Sequence, residues 1–371
     1  MSTRVLAMTR YDGSGASSRV RVYQFIPGLA DRGIDVDVSP LFDARYLQTL
    51  YSRGRTDWFA VASAYMRRVW RLLRREPADL LWIEYELLPW IPWALERPFA
   101  ESRTPYVVEY DDAVFHRYDM GSRFVRAVLG TKLDRLMAAS ACVIAGNEYL
   151  ATRARAAGAP RVEVIPSVVD LREYSEDHAA FEGREAAGAP AGGRPFTVGW
   201  LGSPSTTRYV QLLSRVFARL AASGPLRVVI VGGAPVTMPG VQIEQRPWSK
   251  ATEARDIAGF DVGVMPLEDS PWERGKCGYK LIQYMAGRVP VVASPVGVNA
   301  ELAVPDVTGL LASSDDDWVA CLGRLRDDPA LRRRLGDAGR ALVERRYSLD
   351  VATPRLATVL TDAVVPRASV L

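Results

Sequence analysis

The sequence predicts an α/β protein with two Rossmann-like domains, each a doubly wound parallel sheet facing a shared cleft. Short apolar segments alternate with amphipathic ones, and this pattern restarts near residue 196. The chain has 371 residues, enough for two domains of roughly 150 to 200 residues each. The apolar segments are rich in Val, Ile and Leu without polar alternation, which is typical of parallel strands covered on both faces.

The first half of the chain forms the predicted N-terminal domain, residues 1–170. Its strands are predicted at Val5–Met8, Val36–Leu41, Leu80–Glu84, Tyr106–Tyr110, Cys142–Ala145 and Val162–Ile165. Amphipathic periodicity predicts helices at Arg19–Arg32, Trp58–Arg75 and Arg123–Ala139.

Residues 171–195 are polar, rich in Gly and Pro and without periodicity, which predicts a linker. The second domain is predicted over residues 196–345. Its strands are Phe196–Leu201, Leu226–Val231, Ile243–Arg246, Val262–Met265 and Pro290–Ala293, and its helices lie near Tyr209–Ala222, Ala251–Ile257 and Lys280–Ala286. We expect residues 346–371 to form a C-terminal helix that returns to the N-terminal domain.

Composition excludes several classes of protein. The 47 basic and 43 acidic residues give a net charge of only +4, a mixed surface that does not indicate nucleic-acid binding. Three cysteines and two histidines, far apart, assemble neither a disulfide scaffold nor a zinc site, so we expect no metal and no cofactor. Apolar stretches stay below the roughly 18 residues of a spanning helix and no signal peptide is visible, which predicts a cytoplasmic protein.

Gly13 and Gly15 follow the first strand and precede a helix, where backbone amides can approach an anion or a sugar. The third glycine of a dinucleotide fingerprint is missing, so a generic loop at the cleft is favoured over a nicotinamide or flavin site.

Asp111, Asp112 and His116 follow the fourth strand. A histidine beside carboxylates suits proton transfer or binding of hydroxyls, although a solvated surface loop is equally compatible with the spacing.

The second domain opens on a strand-to-helix turn with many hydroxyl groups, formed by Gly202, Ser203, Ser205, Thr206 and Thr207. Arg208 falls in the first helical turn, which suits a phosphate bound at that end. The alternative is that Ser205 or Thr206 only caps the helix and Arg208 is solvated.

Lysine is rare, yet two of the four lysines, Lys276 and Lys280, flank the start of one predicted helix. Gly275 and Gly278 lie in the turn before that helix. Backbone donors and ammonium groups around one helix N-terminus are the elements of a diphosphate site. A purely solvated pair of lysines is the less favoured alternative.

These motifs, above all GYKLIQYMAGRVPVVASPVGVNAE with VTGLLA after it, resemble the retaining family 4 glycosyltransferases of the GT-B fold (group 1). Weaker matches are SRVR, YDDAVFH, VIPSVVD, GWLGSPST and FDVGVMPL, so the resemblance covers nearly the whole chain. It implies that Arg208 and Lys280 neutralise the leaving diphosphate, that His116 touches the donor sugar, and that Gly13 faces the diphosphate. It also implies an acceptor-binding role for the N-terminal domain.

The sequence departs from the family at one motif. The resemblance places a pair of glutamates eight residues apart at 275 and 283, where this chain has Gly275 and Gln283. Gln283 can still hydrogen-bond a ribose diol, and Glu273 is the nearby carboxylate that could replace the first partner. The predicted catalytic residues are thus His116, Asp112, Arg208 and Lys280, and the predicted donor-binding residues are Gly13, Gly15, Gly202, Ser203, Ser205, Thr206, Glu273, Lys276, Gly278, Tyr279 and Gln283.

The activity implied is a retaining, metal-independent transfer of a sugar from a nucleotide diphosphate to a hydroxyl acceptor. Two alternatives stay open: a sugar-nucleotide epimerase on the same scaffold, and a non-catalytic nucleotide-sugar binder. The sequence does not specify the base, the sugar, the acceptor or the oligomeric state.

The segment 58–75 combines aromatic residues with five arginines. Such a helix can lie on an anionic membrane surface, as a lipid-linked acceptor would require, and would place the protein peripherally on the inner membrane face. The favoured alternative is an ordinary helix with its apolar stripe buried.

Overall fold

A computed structural model describes residues 2–53, 57–74, 77–100, 104–174 and 194–364. The chain forms two compact units. The first comprises residues 1–167, 275–277 and 350–371, and the second comprises residues 168–274 and 278–349. Most of the predicted linker 171–195 lies outside the described residues, as do residues 365–371 of the predicted C-terminal segment and Arg75 of the predicted helix 58–75.

The first unit contains a six-stranded sheet in the order β2-β1-β3-β4-β5-β6, with every pair parallel. The strands are β1 Thr3–Tyr11, β2 Ile34–Phe42, β3 Leu80–Glu84, β4 Tyr106–Tyr110, β5 Cys142–Ala145 and β6 Val162–Val164. The helices are Ala16–Arg21, Ile26–Ala30, Ala44–Arg53, Trp58–Arg74, Trp93–Ala100, His116–Asp119, Arg123–Leu129, Lys132–Ala138, Glu148–Ala156 and, mostly within this unit, Leu349–Val364, with a 3₁₀ turn at Tyr23–Phe25. The strands β3, β4 and β5 are buried along their whole length, as their apolar sequences predict.

The second unit contains another parallel six-stranded sheet, in the order β12-β11-β10-β7-β8-β9. Its strands are β7 Phe196–Leu201, β8 Leu226–Val231, β9 Gln242–Arg246, β10 Val262–Met265, β11 Val291–Ala293 and β12 Leu310–Leu311. Its helices are Thr207–Gln211, Ser214–Ser223, Glu253–Ala258, Pro271–Arg274, Tyr279–Ala286, Asn299–Leu302, Asp315–Asp327 and Pro329–Arg346, with 3₁₀ turns at Leu171–Tyr174 and Pro204–Thr206.

Alternate residues of β8 enter different hydrophobic clusters of the second unit. Val229 and Val231 pack in one cluster, and Val228 and Ile230 pack in the other. Because successive side chains of a strand point to opposite faces, both faces of this sheet are covered.

Three predicted helices are interrupted in the structure. Arg19–Arg32 divides around a 3₁₀ turn, because Val22 leaves the helical region with φ −125° and Pro27 cannot donate the hydrogen bond that a continuous helix requires. Arg123–Ala139 divides at Gly130 and Thr131. The segment predicted near Tyr209–Ala222 also forms two helices, Thr207–Gln211 and Ser214–Ser223.

Strand β12 has two residues and was not predicted, since two residues carry no periodicity.

None of the helices that the structure describes is both long enough and apolar enough to cross a membrane.

Candidate functional site

The carboxyl ends of β7 and β8 meet through glycine in the second unit. A Cβ on Gly202 would lie 2.1 Å from the indole of Trp200, and one on Gly232 would lie 2.5 Å from the carbonyl oxygen of Gly202. Gly202 also donates its backbone hydrogen bond to Val231 at 3.0 Å. Two backbones therefore approach closely at the edge of a parallel sheet where ligands of such folds bind.

The hydroxyls of the predicted turn mostly bond within it. Thr206 Oγ1 accepts from the Ser203 amide at 3.1 Å and donates to the Ser203 carbonyl at 3.0 Å. Ser203 and Ser205 pair through their hydroxyls at 2.9 Å, with Ser205 exposed. Thr207 Oγ1 accepts from the amide of Ala234 at 2.8 Å, which joins the turn to the segment after β8. These hydrogen bonds fix the conformation of the turn.

Arg208 is held at the end of this turn by a buried carboxylate. Its Nη2 donates to the Tyr209 hydroxyl at 2.9 Å and to Glu273 Oε1 at 3.1 Å, while 62% of its side chain stays exposed. Glu273 is buried and also accepts from the hydroxyls of Tyr209 at 2.5 Å and Ser270. Burial raises the pKa of Tyr209 to about 12, so its phenol stays protonated. The arginine is oriented, yet largely open to solvent.

Lys280 borders the same turn from another helix. Its Nζ lies 5.7 Å from the centroid of the Trp200 ring, and that ring contacts Gly202. Lys280 is the second residue of the helix Tyr279–Ala286, which starts after Gly278 with φ +65°. A Cβ at Gly278 would also lie 2.4 Å from Leu302 Cδ1. The helix start thus depends on glycine, as the sequence predicts.

Gln283 and Tyr279 lie on that helix and differ in how deeply their side chains are buried. Gln283 is 4% exposed and lies beside the phenol of Tyr174, whose pKa is raised well above its usual value by burial, with Gln283 opposing the shift. Tyr279 is partly buried against the hydrophobic cluster around Leu281. That Gln283, Tyr279 and Glu273 contact the nucleotide-sugar donor stays a prediction.

In the first unit, Asp112 lies beside Lys276. The ion pair spans 3.7 Å between Lys276 Nζ and Asp112 Oδ2, because the short segment 275–277 packs within this unit. Asn147 Nδ2 donates to the carbonyls of Gly275 at 2.9 Å and Lys276 at 3.2 Å. Burial raises the pKa of Asp112, and Lys276 opposes that shift. The structure therefore brings these two predicted site residues together.

His116 begins the short helix His116–Asp119 after β4. Its Nδ1 lies 2.9 Å from Asp119 Oδ1 and its Nε2 lies 2.9 Å from the Tyr149 hydroxyl. Only 11% of its side chain is exposed, so the alternative of a solvated histidine does not describe it. Both ring nitrogens are engaged, which fixes the orientation of the ring.

The loop of Gly13 and Gly15 closes around Asp12. The carboxylate of Asp12 accepts from the Ser14 amide at 3.0 Å and from the Ala44 amide at 2.6 Å. A Cβ at Gly15 would lie 2.3 Å from Tyr11, whereas one at Gly13 would meet only the ring of Tyr23 at 3.8 Å. Gly15 is thus required by packing, and the predicted role of Gly13 toward a diphosphate stays a prediction.

Sequence reasoning singled out Asp111 but missed the polar cluster of the first unit to which it belongs. Ser17 Oγ lies 2.7 Å from Glu84 Oε1, 2.9 Å from the Tyr85 hydroxyl and 3.2 Å from Asp111 Oδ1. Tyr85 also donates to Asp111 and has φ +63°, an uncommon backbone conformation for tyrosine. The sequence could have indicated this cluster, because polar residues occur at or just after the ends of β1, β3 and β4. These three strands are neighbours in the sheet, so their carboxyl ends lie close together.

Among the described residues, no three His, Cys, Asp or Glu side chains cluster as metal ligands would.

Two parallel six-stranded sheets with their helices define an α/β protein of two compact units. Sequence models of two families match separate parts of the chain: Glycosyltransferase Family 4 over residues 18–173, and Glycosyl transferases group 1 over residues 195–328. The chain is a glycosyltransferase with the GT-B fold. Comparison with curated proteins returns no match.

Solved glycosyltransferase structures share the fold over nearly the whole chain. Sucrose-phosphate synthase from Thermosynechococcus elongatus has a TM-score of 0.71 and 17% identity, covering 97% of this chain and 98% of its own. Anabaena HepE in complex with UDP has a TM-score of 0.71 and 15% identity, covering 97% and 100%. UDP-forming trehalose-phosphate synthase from Burkholderia xenovorans has a TM-score of 0.65 and 13% identity, covering 98% and 100%.

Proposed function

We propose that the protein transfers a sugar from a uridine diphosphate donor to a hydroxyl acceptor, with retention and without a metal ion. The observation that carries this proposal is that Arg208 and Lys280 both border the glycine turn at Gly202. Two cations beside a backbone turn at the carboxyl edge of a parallel sheet suit a pyrophosphate. Uridine is proposed because structures of HepE are complexes with UDP and with UDP-glucose.

In this proposal the two cations differ in function. Arg208 is oriented by Glu273 and offers the exposed part of its guanidinium to a phosphate oxygen. Lys280 adds a compact ammonium charge near the N-terminus of its helix, where backbone amides also favour an anion. Stabilisation of the leaving diphosphate by fixed cations replaces the charge that a metal would supply.

Retention follows from the proposed chemistry. The bond between the anomeric carbon and the leaving phosphate oxygen breaks, and the acceptor oxygen bonds to that carbon on the same face. The phosphate takes the proton of the acceptor hydroxyl, so positioning matters more than a strong base. His116 and Asp112 are proposed to bind donor sugar hydroxyls rather than to remove protons. For His116 this requires a sugar hydroxyl to replace the Tyr149 hydroxyl at Nε2.

We also propose that the helix Trp58–Arg74 binds an anionic membrane surface peripherally. Phe59 is 90% exposed, Trp70 59% and Leu73 59%. The helix therefore keeps an exposed apolar stripe in addition to the face that Ala64 and Tyr65 pack against the unit, which the alternative of an ordinary buried helix describes. Arg67, Arg71 and Arg74 lie on the same helix and provide the positive charge that anionic lipids attract.

The donor is tested by thermal shift with UDP, GDP and dTDP, because a ligand that binds only the folded state raises the Tm. UDP should give the largest shift. Product analysis with UDP-glucose and related sugars then separates transfer from epimerisation and from binding without turnover. A product with inverted anomeric configuration, or full activity that depends on added divalent metal, would contradict the proposed mechanism.

A further inference from the structure

The first unit contains a cavity of about 490 Å³ at the carboxyl ends of β1 and β2. Half of the residues that line it are aromatic, namely Phe42, Tyr46, Trp58, Tyr65 and Trp90, and one cation, Arg10, lines it as well. The volume is typical of small-molecule sites. None of these residues belongs to the donor-binding set.

Arg10 is a charged residue of the cavity, and its neighbours do not satisfy all of its hydrogen-bond donors. Its side chain is 13% exposed, and its Nη1 atom is buried without a hydrogen bond. Glu86 Oε1 lies 3.7 Å from Nη1, beyond hydrogen-bond distance. The Glu86 carboxylate already accepts from Tyr118 at 2.9 Å and from Lys132 at 2.7 Å. A buried donor without an acceptor is costly. Nη1 itself has almost no accessible surface, so the Arg10 guanidinium must turn toward an anion in the cavity to gain the missing hydrogen bond.

A buried arginine sets which face of the helix Trp58–Arg74 meets this cavity. Arg68 donates to the carbonyls of Thr9 at 2.6 Å, Ser39 at 2.9 Å and Leu87 at 3.3 Å. Because these carbonyls lie near the ends of β1, β2 and β3, Arg68 fixes the helix against the sheet. Trp58 and Tyr65, ten and three residues earlier, then face the cavity.

The cavity continues into exposed apolar surface. Trp58 and Trp90 line the cavity and are 77% and 51% exposed, so they form its mouth. On the same helix Phe59, Met66 and Trp70 are exposed without lining the cavity. An occupant with an anionic end and an apolar remainder matches both surfaces at once.

We propose that this cavity binds the phosphate-bearing end of an anionic lipid, with Arg10 on the phosphate and the tryptophans against the first carbons of the chains. The role of this lipid as sugar acceptor depends on the proposed function, whereas its binding to the cavity does not. The size of the cavity fits the phosphate and neighbouring carbons, and the rest of the chains lies in the bilayer beside the exposed stripe.

The test is calorimetric titration of the full chain, without donor, by dihexanoyl phosphatidic acid below its micellar concentration. The same titration with dihexanoyl phosphatidylcholine, inorganic phosphate and maltotriose provides the comparison. We expect phosphatidic acid to bind at least about tenfold more tightly than the other three, since hydrogen bonds to charged groups carry that much affinity. Equal binding of the choline lipid, tighter binding of maltotriose, or no binding of phosphatidic acid overturns the proposal.

Matched variants locate the site. Arg10→Gln should weaken phosphatidic acid at least about tenfold and Arg10→Lys by less, because the charge remains. Trp58→Ala should weaken it severalfold, whereas Phe124→Ala, at an exposed aromatic position of the same unit outside the cavity, should not. If Arg10→Gln is unstable, Arg10→Lys and Trp58→Ala still decide, because unchanged binding in both overturns the proposal. A protein that binds UDP but no lipid refutes only this inference, and one that binds lipid but no nucleotide refutes only the proposed function.

Discussion

Arg208 and Glu273 form an ion pair of 3.1 Å between residues 65 positions apart in the chain. The carboxylate is buried and the guanidinium is mostly exposed, so the pair orients a cation at the surface from a fixed point in the interior. Glu273 is therefore a positioning residue in this structure. A sugar hydroxyl would have to share a carboxylate that already accepts from Tyr209 and Ser270.

Arg208→Ala should weaken UDP binding roughly tenfold or more, the value of one charge-assisted hydrogen bond to phosphate. Arg215→Ala is the matched control, because Arg215 is exposed on the neighbouring helix Ser214–Ser223 and should leave the affinity unchanged. Calorimetric titration with UDP measures both. An equal loss in the two variants would indicate a diffuse electrostatic effect and not a contact.

Glu273→Gln should lower the free energy of unfolding by about 1–3 kcal/mol, since the buried acceptor of three donors loses its charge. Urea denaturation gives this number. Glu268→Gln, an exposed neighbour, should stay close to the unsubstituted protein. A Glu273→Gln protein as stable as the control would mean that the ion pair does not hold the turn.

Most strands with the predicted bounds are completely or almost completely buried. β3, β4, β5, β7, β8 and β10 have the predicted bounds, because a parallel strand covered on both faces is a continuous apolar run. Helix interruptions were not predicted. They depend on local backbone geometry at Val22, Pro27 and Gly130, which an amphipathic pattern does not reveal.

The candidate site was predictable only as far as residue type and strand position allow. The scarcity of lysine singled out Lys276 and Lys280, but the structure places Lys276 beside Asp112, more than 160 residues earlier, a contact that no local pattern contains. The direction of the helix Trp58–Arg74 was not predictable either. Its orientation depends on the hydrogen bonds of Arg68 to three carbonyls near the strand ends. In this orientation aromatic residues on another face of the helix are exposed.

Arg68→Met should destabilise the first unit by at least about 3 kcal/mol, because three carbonyls lose their donor at once. Arg67→Met is the control on the same helix; Arg67 bonds to Ser63 at 2.9 Å on the exposed side, and we expect a change within about 0.5 kcal/mol. Urea denaturation measures both. Similar stability of the two variants would contradict the role assigned to Arg68.

Substitution of both Phe59 and Trp70 by serine should reduce binding to phosphatidylglycerol vesicles at least about tenfold, since each large apolar side chain contributes about 1.5–3 kcal/mol on burial. Vesicle sedimentation at low salt measures it, with phosphatidylcholine vesicles as the uncharged comparison. Val307→Ser, an exposed apolar position of the second unit, should have no effect. Absence of vesicle binding by the unsubstituted protein would remove the membrane proposal.

Lys280→Ala should reduce turnover at least ~100-fold, the scale on which removal of one charge-stabilising donor acts. The physical reason is that charge develops on the leaving diphosphate in the transition state, so the effect should appear in kcat more than in KM. Lys250→Ala is the matched control, because Lys250 pairs with Glu173 at the surface of the same unit and should leave both constants unchanged. Initial rates with UDP-sugar donors, once a substrate pair is found, decide. A Lys280→Ala enzyme within a few-fold of the control would show that the ammonium near Trp200 does not face the leaving group.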